Sequence, residues 1–149
     1  MPAPTLHATT AQWLTKDNQR YTSQRRALVA VLADAVQPLT IPQLLERQPG
    51  LAQSSAYRNL AVLERAGVVR RIVTSDEFAR YELAEELTHH HHHHLICTDC
   101  GGVTDFELSD AIEHTLETAL AAMAARTGFV IRDHQLDIVG TCPKCPSGG

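Results

Sequence analysis

Two Cys-x-x-Cys pairs, Cys97-Thr98-Asp99-Cys100 and Cys142-Pro143-Lys144-Cys145, constrain this chain more than any other feature. Two intervening residues let one tight turn aim both sulfurs at a single ion, so the four cysteines have the spacing of a tetrahedral zinc site. Four thiolates saturate such an ion and leave no position for substrate, which makes the site structural rather than catalytic. It would tie the middle of the chain to its end, and metal energy would become part of the folding energy of the second half. The rival readings are four unrelated thiols or a redox pair.

Six consecutive histidines, His89 to His94, run directly into the first pair. Such a run is the usual purification tag, but tags sit at a terminus beside linker residues. This run is internal and carries no linker residues on either side, and we read it as native. If it is extended, alternate side chains point to opposite faces. His90, His92 and His94 would face one way, and His89, His91 and His93 the other. Two different metal sites could then draw on one strand, completed from Glu82, Glu85, Glu86, Asp105, Glu113, His114 or His134. Mixed nitrogen and oxygen ligands suit Zn²⁺, Fe²⁺, Mn²⁺ or Ni²⁺ alike. For any single histidine the competing reading is a solvent-exposed surface residue.

The net charge of −4 conceals two unlike halves. Residues 1–80 carry ten Lys/Arg against six Asp/Glu, and residues 81–149 carry three against eleven. A +4 half joined to a −8 half suggests a polyanion-binding region beside an acidic, cation-attracting one. At 149 residues the chain can hold one ordinary domain or two small ones. No stretch approaches the roughly 20 apolar residues of a membrane span, and no signal peptide is visible at Met1-Pro2-Ala3. A cytoplasmic location without a membrane partner is expected, where cysteines serve metals more often than disulfides.

The first half reads as helices followed by a hairpin. Ser23 can cap a helix carrying Leu28, Val31 and Leu32, stopped by Pro38. Thr40 caps a second, with Pro42 in its first turn and Leu44 and Leu45 inward, ended by Pro49-Gly50. Ser54 opens a third, over 55–66, with Leu60 and Leu63 buried and Gly67 at its end. Strand periodicity follows at 68–73 and 78–83 around a polar turn, Thr74-Ser75-Asp76-Glu77. Three helices plus a hairpin is the layout of a winged helix-turn-helix. In the second half, strands are expected near 92–96 and 103–106, then a helix from Ser109 to Thr127 ended by Gly128. A last strand would run from Phe129 to about Val139, and the Ser147-Gly148-Gly149 tail would be disordered. The helix stripe Ile112, Leu116, Leu120 and Met123 is core or a dimer seam. The fold class is α+β: an N-terminal winged-helix domain over residues 1–83 and a C-terminal α/β dimerisation domain over 84–149 with a four-cysteine zinc site.

Three features taken in order carry a resemblance. Ser54-Ser55-Ala56-Tyr57-Arg58 lies on the third helix, Tyr81-Glu82-Leu83 on the wing strand, and His92-His93-His94-Leu95-Ile96-Cys97-Thr98-Asp99-Cys100 beyond it. Together they resemble the ferric uptake regulator family over about residues 20 to 146. The resemblance implies a homodimeric, metal-dependent transcription regulator that binds double-stranded operator DNA. By that match, Cys97, Cys100, Cys142 and Cys145 are structural zinc ligands. Glu82, His92 and His94, with Asp105 in some members, match the regulatory site at the hinge between domains. His91, His93, Glu113 and His134 match an additional site, with a one-residue insertion before Glu113. Tyr57 and Arg58 match duplex-contacting positions, where tyrosine packs on a thymine methyl and arginine reads guanine or grips phosphate. Ser54 and Ser55 can donate to phosphate at the helix start, and Arg20, Tyr21, Arg25 and Arg26 form a basic cluster suited to the backbone.

The chain also departs from the family pattern. Gln37-Pro38-Leu39 stands where many members place a regulatory histidine. Arg70 stands where zinc-specific relatives place an aspartate, and about three extra residues separate Glu82 from the histidine run. Glu85, Glu86, His89 or His90 could substitute as ligands. The expected function is a repressor of metal uptake with Zn²⁺ or Fe²⁺ as co-repressor beside the structural Zn²⁺. A peroxide sensor of the same family is the alternative. A zinc enzyme or storage module is the reading from another class, and no His-Glu-x-x-His or His-x-Glu motif supports an enzyme.

Overall fold

The computed structural model describes residues 4–74 and 78–146. Residues 75–77 of the expected polar turn and the Ser147–Gly149 tail lie outside them. The chain opens with α1 (Pro4–Lys16), whose sparse apolar residues do not announce a helix, yet Leu6 and Leu14 reach the core. In α2 (Ser23–Asp34) the cap is Thr22 rather than Ser23. Thr22 is extended and accepts from the Arg25 amide at 3.3 Å, because a capping oxygen must sit outside the helix to reach the third amide.

β1 (Leu39–Thr40) leads into α3 (Ile41–Arg47) through a reciprocal cap. The Gln43 amide donates to Thr40 Oγ1, and the Thr40 amide donates to Gln43 Oε1. α4 (Gln53–Arg65) starts one residue ahead of Ser54, with Ala52 in the cap position and no side-chain cap. Its first amides are therefore left for an outside acceptor. Gly67 follows it at φ +82, a left-handed turn that a side chain would strain. β2 (Val69–Ile72) and β3 (Arg80–Leu83) form the expected hairpin, and β1 adds to the far edge of β3. Leu14, Leu28, Leu44, Leu60 and Leu63 are fully buried among these elements, so helices and hairpin make one packed winged helix-turn-helix. Leu87, from the single turn α5 (Glu85–Thr88), joins the same core.

A second sheet holds β4 (His93–Cys97), β5 (Val103–Phe106) and β6 (Asp137–Gly140), with α6 (Asp110–Thr127) between the last two strands in sequence. β4 is central, antiparallel to β5 and parallel to β6. Ser109 caps α6 by accepting from the Ile112 amide, and Gly128 ends it at φ +73. The last strand is shorter than its apolar pattern suggests. Phe129 and Val130 are 69% and 77% exposed, and among the described residues the ladder with β4 begins only at Asp137. Apolar residues without a neighbouring ladder do not make a strand. Within one chain the α6 stripe is also uncovered, with Ile112 54% exposed and only Ala124 of the helix buried. Among the described residues no helix is long and apolar enough to cross a membrane.

Candidate metal centres

The turn after β4 and the segment after β6 bring all four cysteines together. Their sulfurs stand 3.8 Å apart for Cys97–Cys145, 3.9 Å for Cys100–Cys142 and 3.6 Å for Cys142–Cys145. A tetrahedron with Zn–S bonds of about 2.3 Å has edges of about 3.8 Å, whereas a disulfide needs about 2.05 Å. The spacing fits zinc and excludes paired disulfides. The Cys142 amide donates to Cys97 Sγ at 3.3 Å and the Gly102 amide to Cys100 Sγ at 3.4 Å, bonds that orient thiolates. The backbone amide of Cys100, then that of Cys142, draws the Cys97 thiol down to about 6. The neighbouring Cys142 sulfur and burial push Cys145 up to about 12. The Cys97 thiolate forms readily and the Cys145 thiolate resists, because adjacent anions need a cation to coexist.

Glu82 of β3 meets His92 and His94 across the junction of the two sheets. His92 Nε2 donates to Glu82 Oε2 and His94 Nε2 to Glu82 Oε1, both at 2.9 Å. Asp105, opposite His94 on β5, closes the cluster at 3.4 Å from His92 and 3.6 Å from His94. Four donors of this chemistry, all within 4.8 Å of one another, suit a divalent cation. Asp105 Oδ1 is buried without a hydrogen-bond partner among the described residues, as a ligand atom would be. Burial works to raise the Glu82 carboxyl, but hydrogen bonds from His94 and His92 hold it below its ordinary value. Burial, then the Glu82 charge, pushes Asp105 up to about 6. His94 also donates from Nδ1 to Asp137 Oδ1 at 3.2 Å, so it lies between two carboxylates. Burial lowers its pKa, but the bonds to Glu82 and Asp137 outweigh that and raise it.

On the opposite face of β4, His91, His93, Glu113 and His134 form a second cluster of the same compactness. His91 Nε2 lies 3.1 Å from His134 Nε2, and Glu113 Oε2 lies 3.5 Å and 3.4 Å from these two nitrogens. His93, buried beneath them, donates to Glu113 Oε1. Glu113 Oε2 is again a buried oxygen without a hydrogen bond among the described residues. Burial acts to raise Glu113, but the bond from His93 and the flanking imidazoles bring it below its ordinary value. The parity of the histidine run thus produces two separate clusters. His89, at φ +59 ending α5, and His90, 76% exposed beside Glu107, enter neither. Of the other named substitutes, Glu85 contacts His91 and Glu86 is exposed. Asp137 carries no signal in the sequence, because only the parallel β4–β6 register places it opposite His94.

The residues matched to DNA contact divide in two. Ser54, Tyr57 and Arg58 lie exposed along α4, with Tyr57 54% exposed and Arg58 Nη2 donating to the partly buried Ser55 Oγ. Arg20 is exposed. Arg25 instead clasps α2 to α4, donating to Asn59 Oδ1 at 3.0 Å, Gln19 Oε1 at 3.3 Å and the Arg20 carbonyl at 2.7 Å. Tyr21 is half-buried against His7 with Arg26 over its ring, and burial pushes its hydroxyl up to about 12. Buried Asn59, which also donates to Gln24, is the part of this clasp that helical periodicity could not single out.

This geometry has relatives. Residues 16–139 match the model of the Ferric uptake regulator family. A ferric uptake regulation protein of Bacillus subtilis (strain 168) is 31% identical over 137 residues, covering 89% of each chain. The peroxide operon regulator of the same strain is 28% identical, covering 85% of this chain and 83% of its own. The crystal structure of the Vibrio cholerae ferric uptake regulator, which reveals a rearrangement of its DNA-binding domains, superposes with a TM-score of 0.65 at 26% identity. It covers 88% of this chain and 98% of that one. The chain belongs to the ferric uptake regulator family of metal-responsive transcription regulators.

Proposed function

We propose that this chain is a homodimeric repressor of metal-uptake genes, with residues 1–83 binding operator DNA and residues 84–149 pairing the subunits. Zn²⁺ in the four-cysteine site holds the second domain together, and Zn²⁺ or Fe²⁺ at Glu82, His92, His94 and Asp105 is the co-repressor. His91, His93, Glu113 and His134 hold a further cation. One observation carries the reading: Glu82 belongs to the wing strand, while both imidazoles bonded to it belong to the second sheet. A divalent cation supplies a multidentate bond across that hinge. Glu82, His92 and His94 then fix the relative orientation of the two DNA-binding heads, and only an orientation matching the half-site spacing binds well. Exposed Ser54, Tyr57 and Arg58 would lie in the major groove, with Arg20 at the backbone and Tyr21 and Arg25 shaping the entry of α2. The uncovered apolar residues Ile112, Phe129, Val130 and Val139 support pairing with a second copy.

Fluorescence anisotropy on an operator duplex, selected from random DNA by metal-loaded protein, tests this. Affinity should fall at least tenfold when the hinge cation is withdrawn and fail to recover in Glu82→Gln. Equal affinity with and without metal rules the switch out. The same histidine and carboxylate set supports a second reading, peroxide sensing, as in the Bacillus subtilis peroxide operon regulator. An oxygen added to His91, His92 or His94 in the iron-loaded protein after peroxide, detected by mass spectrometry, would favour it.

A further inference from the structure

Glu85 touches three parts of the molecule at once. Its Oε2 accepts from His91 Nδ1 at 2.8 Å, its Oε1 accepts from the His92 backbone amide at 3.3 Å, and Oε1 lies 3.6 Å from Arg70 Nη1. Arg70 is on β2, directly opposite Glu82 in the hairpin register. The Glu85 and Arg70 side chains are only 15% and 20% exposed, so their pairing is partly shielded from water. A histidine that ligates a metal through one nitrogen commonly donates its other N–H to a carboxylate, which fixes tautomer and ring orientation. With Nδ1–H committed to Glu85, His91 must present Nε2 to His134 and Glu113, as it does.

We infer that Glu85 is a positioning residue of the second metal site and links that site to the wing through Arg70. The inference rests on the proposed reading of the His91, His93, Glu113 and His134 cluster as a cation site. Glu85 lies within the stretch where the chain carries extra residues, and α5 holds it in place by burying Leu87 in the first core. Ordering His91 about a cation therefore also orders Glu85, and with it the guanidinium on β2. A rival arrangement places a cation among Glu85, His91 and Asp133, whose donor atoms also lie close together. Arg70 already pairs with that carboxylate, and a cation there would meet a like charge.

The test uses full-length protein retaining its structural zinc, with His94→Ala breaking the hinge site, and Co²⁺ as the probe read by its d–d absorption. Adding Glu85→Ala should weaken the remaining Co²⁺ site 10- to 100-fold, with zinc content unchanged. Adding Arg70→Gln should change it less than threefold. Co²⁺ should slow amide exchange in Val69–Ile72 when Arg70 is present and not when it is Gln. Equal Co²⁺ affinity with and without Glu85 overturns the positioning role. Unchanged exchange in Val69–Ile72 overturns the link to the wing. Loss of Co²⁺ binding on Asp133→Ala but not on Glu113→Ala would place the ion in the rival arrangement and overturn the inference. No Co²⁺ site at all in the His94→Ala protein would instead remove the underlying reading, and this inference with it.

Discussion

The two halves of this molecule are held by different physics. The first buries a continuous apolar core, running from Leu6 to Leu87, in which Leu14, Leu28, Leu44, Leu60 and Leu63 are fully enclosed. The second buries Cys97, Val103 and Ala124 alongside His93 and His94, and leaves Leu95, Ile138 and Val139 in the open. A single copy of the second half has too little enclosed apolar surface to offset its chain entropy. The four cysteines placed for zinc offer the missing stabilisation. The first half is thus held by its own apolar core, whereas the second gathers the side chains suited to metal.

The sharpest way to break this comparison is to remove zinc. Chelation under reducing conditions, or Cys142→Ser, should unfold the second half while α1 to α4 persist, because structural zinc contributes about 10–16 kcal/mol of apparent binding energy. Hydrogen exchange resolved by segment would read it. Equal loss of protection in both halves would mean the first is not autonomous. Next in size, Leu63→Ala should cost about 2–5 kcal/mol in denaturant unfolding of the first half, with zinc content untouched.

Smaller still is the pH response of the hinge in metal-free protein. Glu82 is held below its ordinary 4.5, so it stabilises the fold above that value and the benefit is lost as pH falls through the lowered pKa. His94 is raised above 6.5, so its contribution is complete below 6.5 and is lost as pH rises through the raised pKa. The Glu82 and His94 contributions to the metal-free hinge should both be present between about 4.5 and 6.5, with Asp105, pushed up to about 6, subtracting from them as it ionises. Metal affinity should rise with pH above that window, since a ligating imidazole must be neutral. Thermal unfolding and metal titration across this range would check both, and a metal-free stability that climbs steadily above 6.5 would contradict it. The smallest effect is local: His89→Gly should stabilise by roughly 0.5–1 kcal/mol, because φ +59 suits glycine, and should leave metal stoichiometry unchanged. A lost metal equivalent would show that His89 is a ligand after all.

Local chemistry was legible in the residues alone. Cys-x-x-Cys spacing, the parity of a histidine run on a strand, and caps such as Thr40 depend on neighbours a few residues away. So did the charge division between halves and the Leu60/Leu63 stripe of α4. Elements held by distant contacts were not legible. α1 is fixed by burying Leu6 and Leu14 against other helices, and α5 by the placement of Leu87. Of the strand expected from Phe129 to about Val139, the described residues form a ladder only from Asp137 onward, which no pattern within its own residues could reveal. Only the fold brings Asn59, 34 residues away, onto the Arg25 guanidinium.

By itself, then, the sequence determined which side chains could bind metal and on which face of one strand each would lie, because covalent geometry and the two-residue strand period decide that locally. Only the tertiary structure decided which of them come together. Glu82 meets His92 and His94 across two sheets, Asp137 meets His94 through a parallel register, and Glu85 joins His91 to Arg70. Those meetings follow from packing between segments far apart in the chain, where burial and electrostatic complementarity act on the folded whole rather than on neighbouring residues.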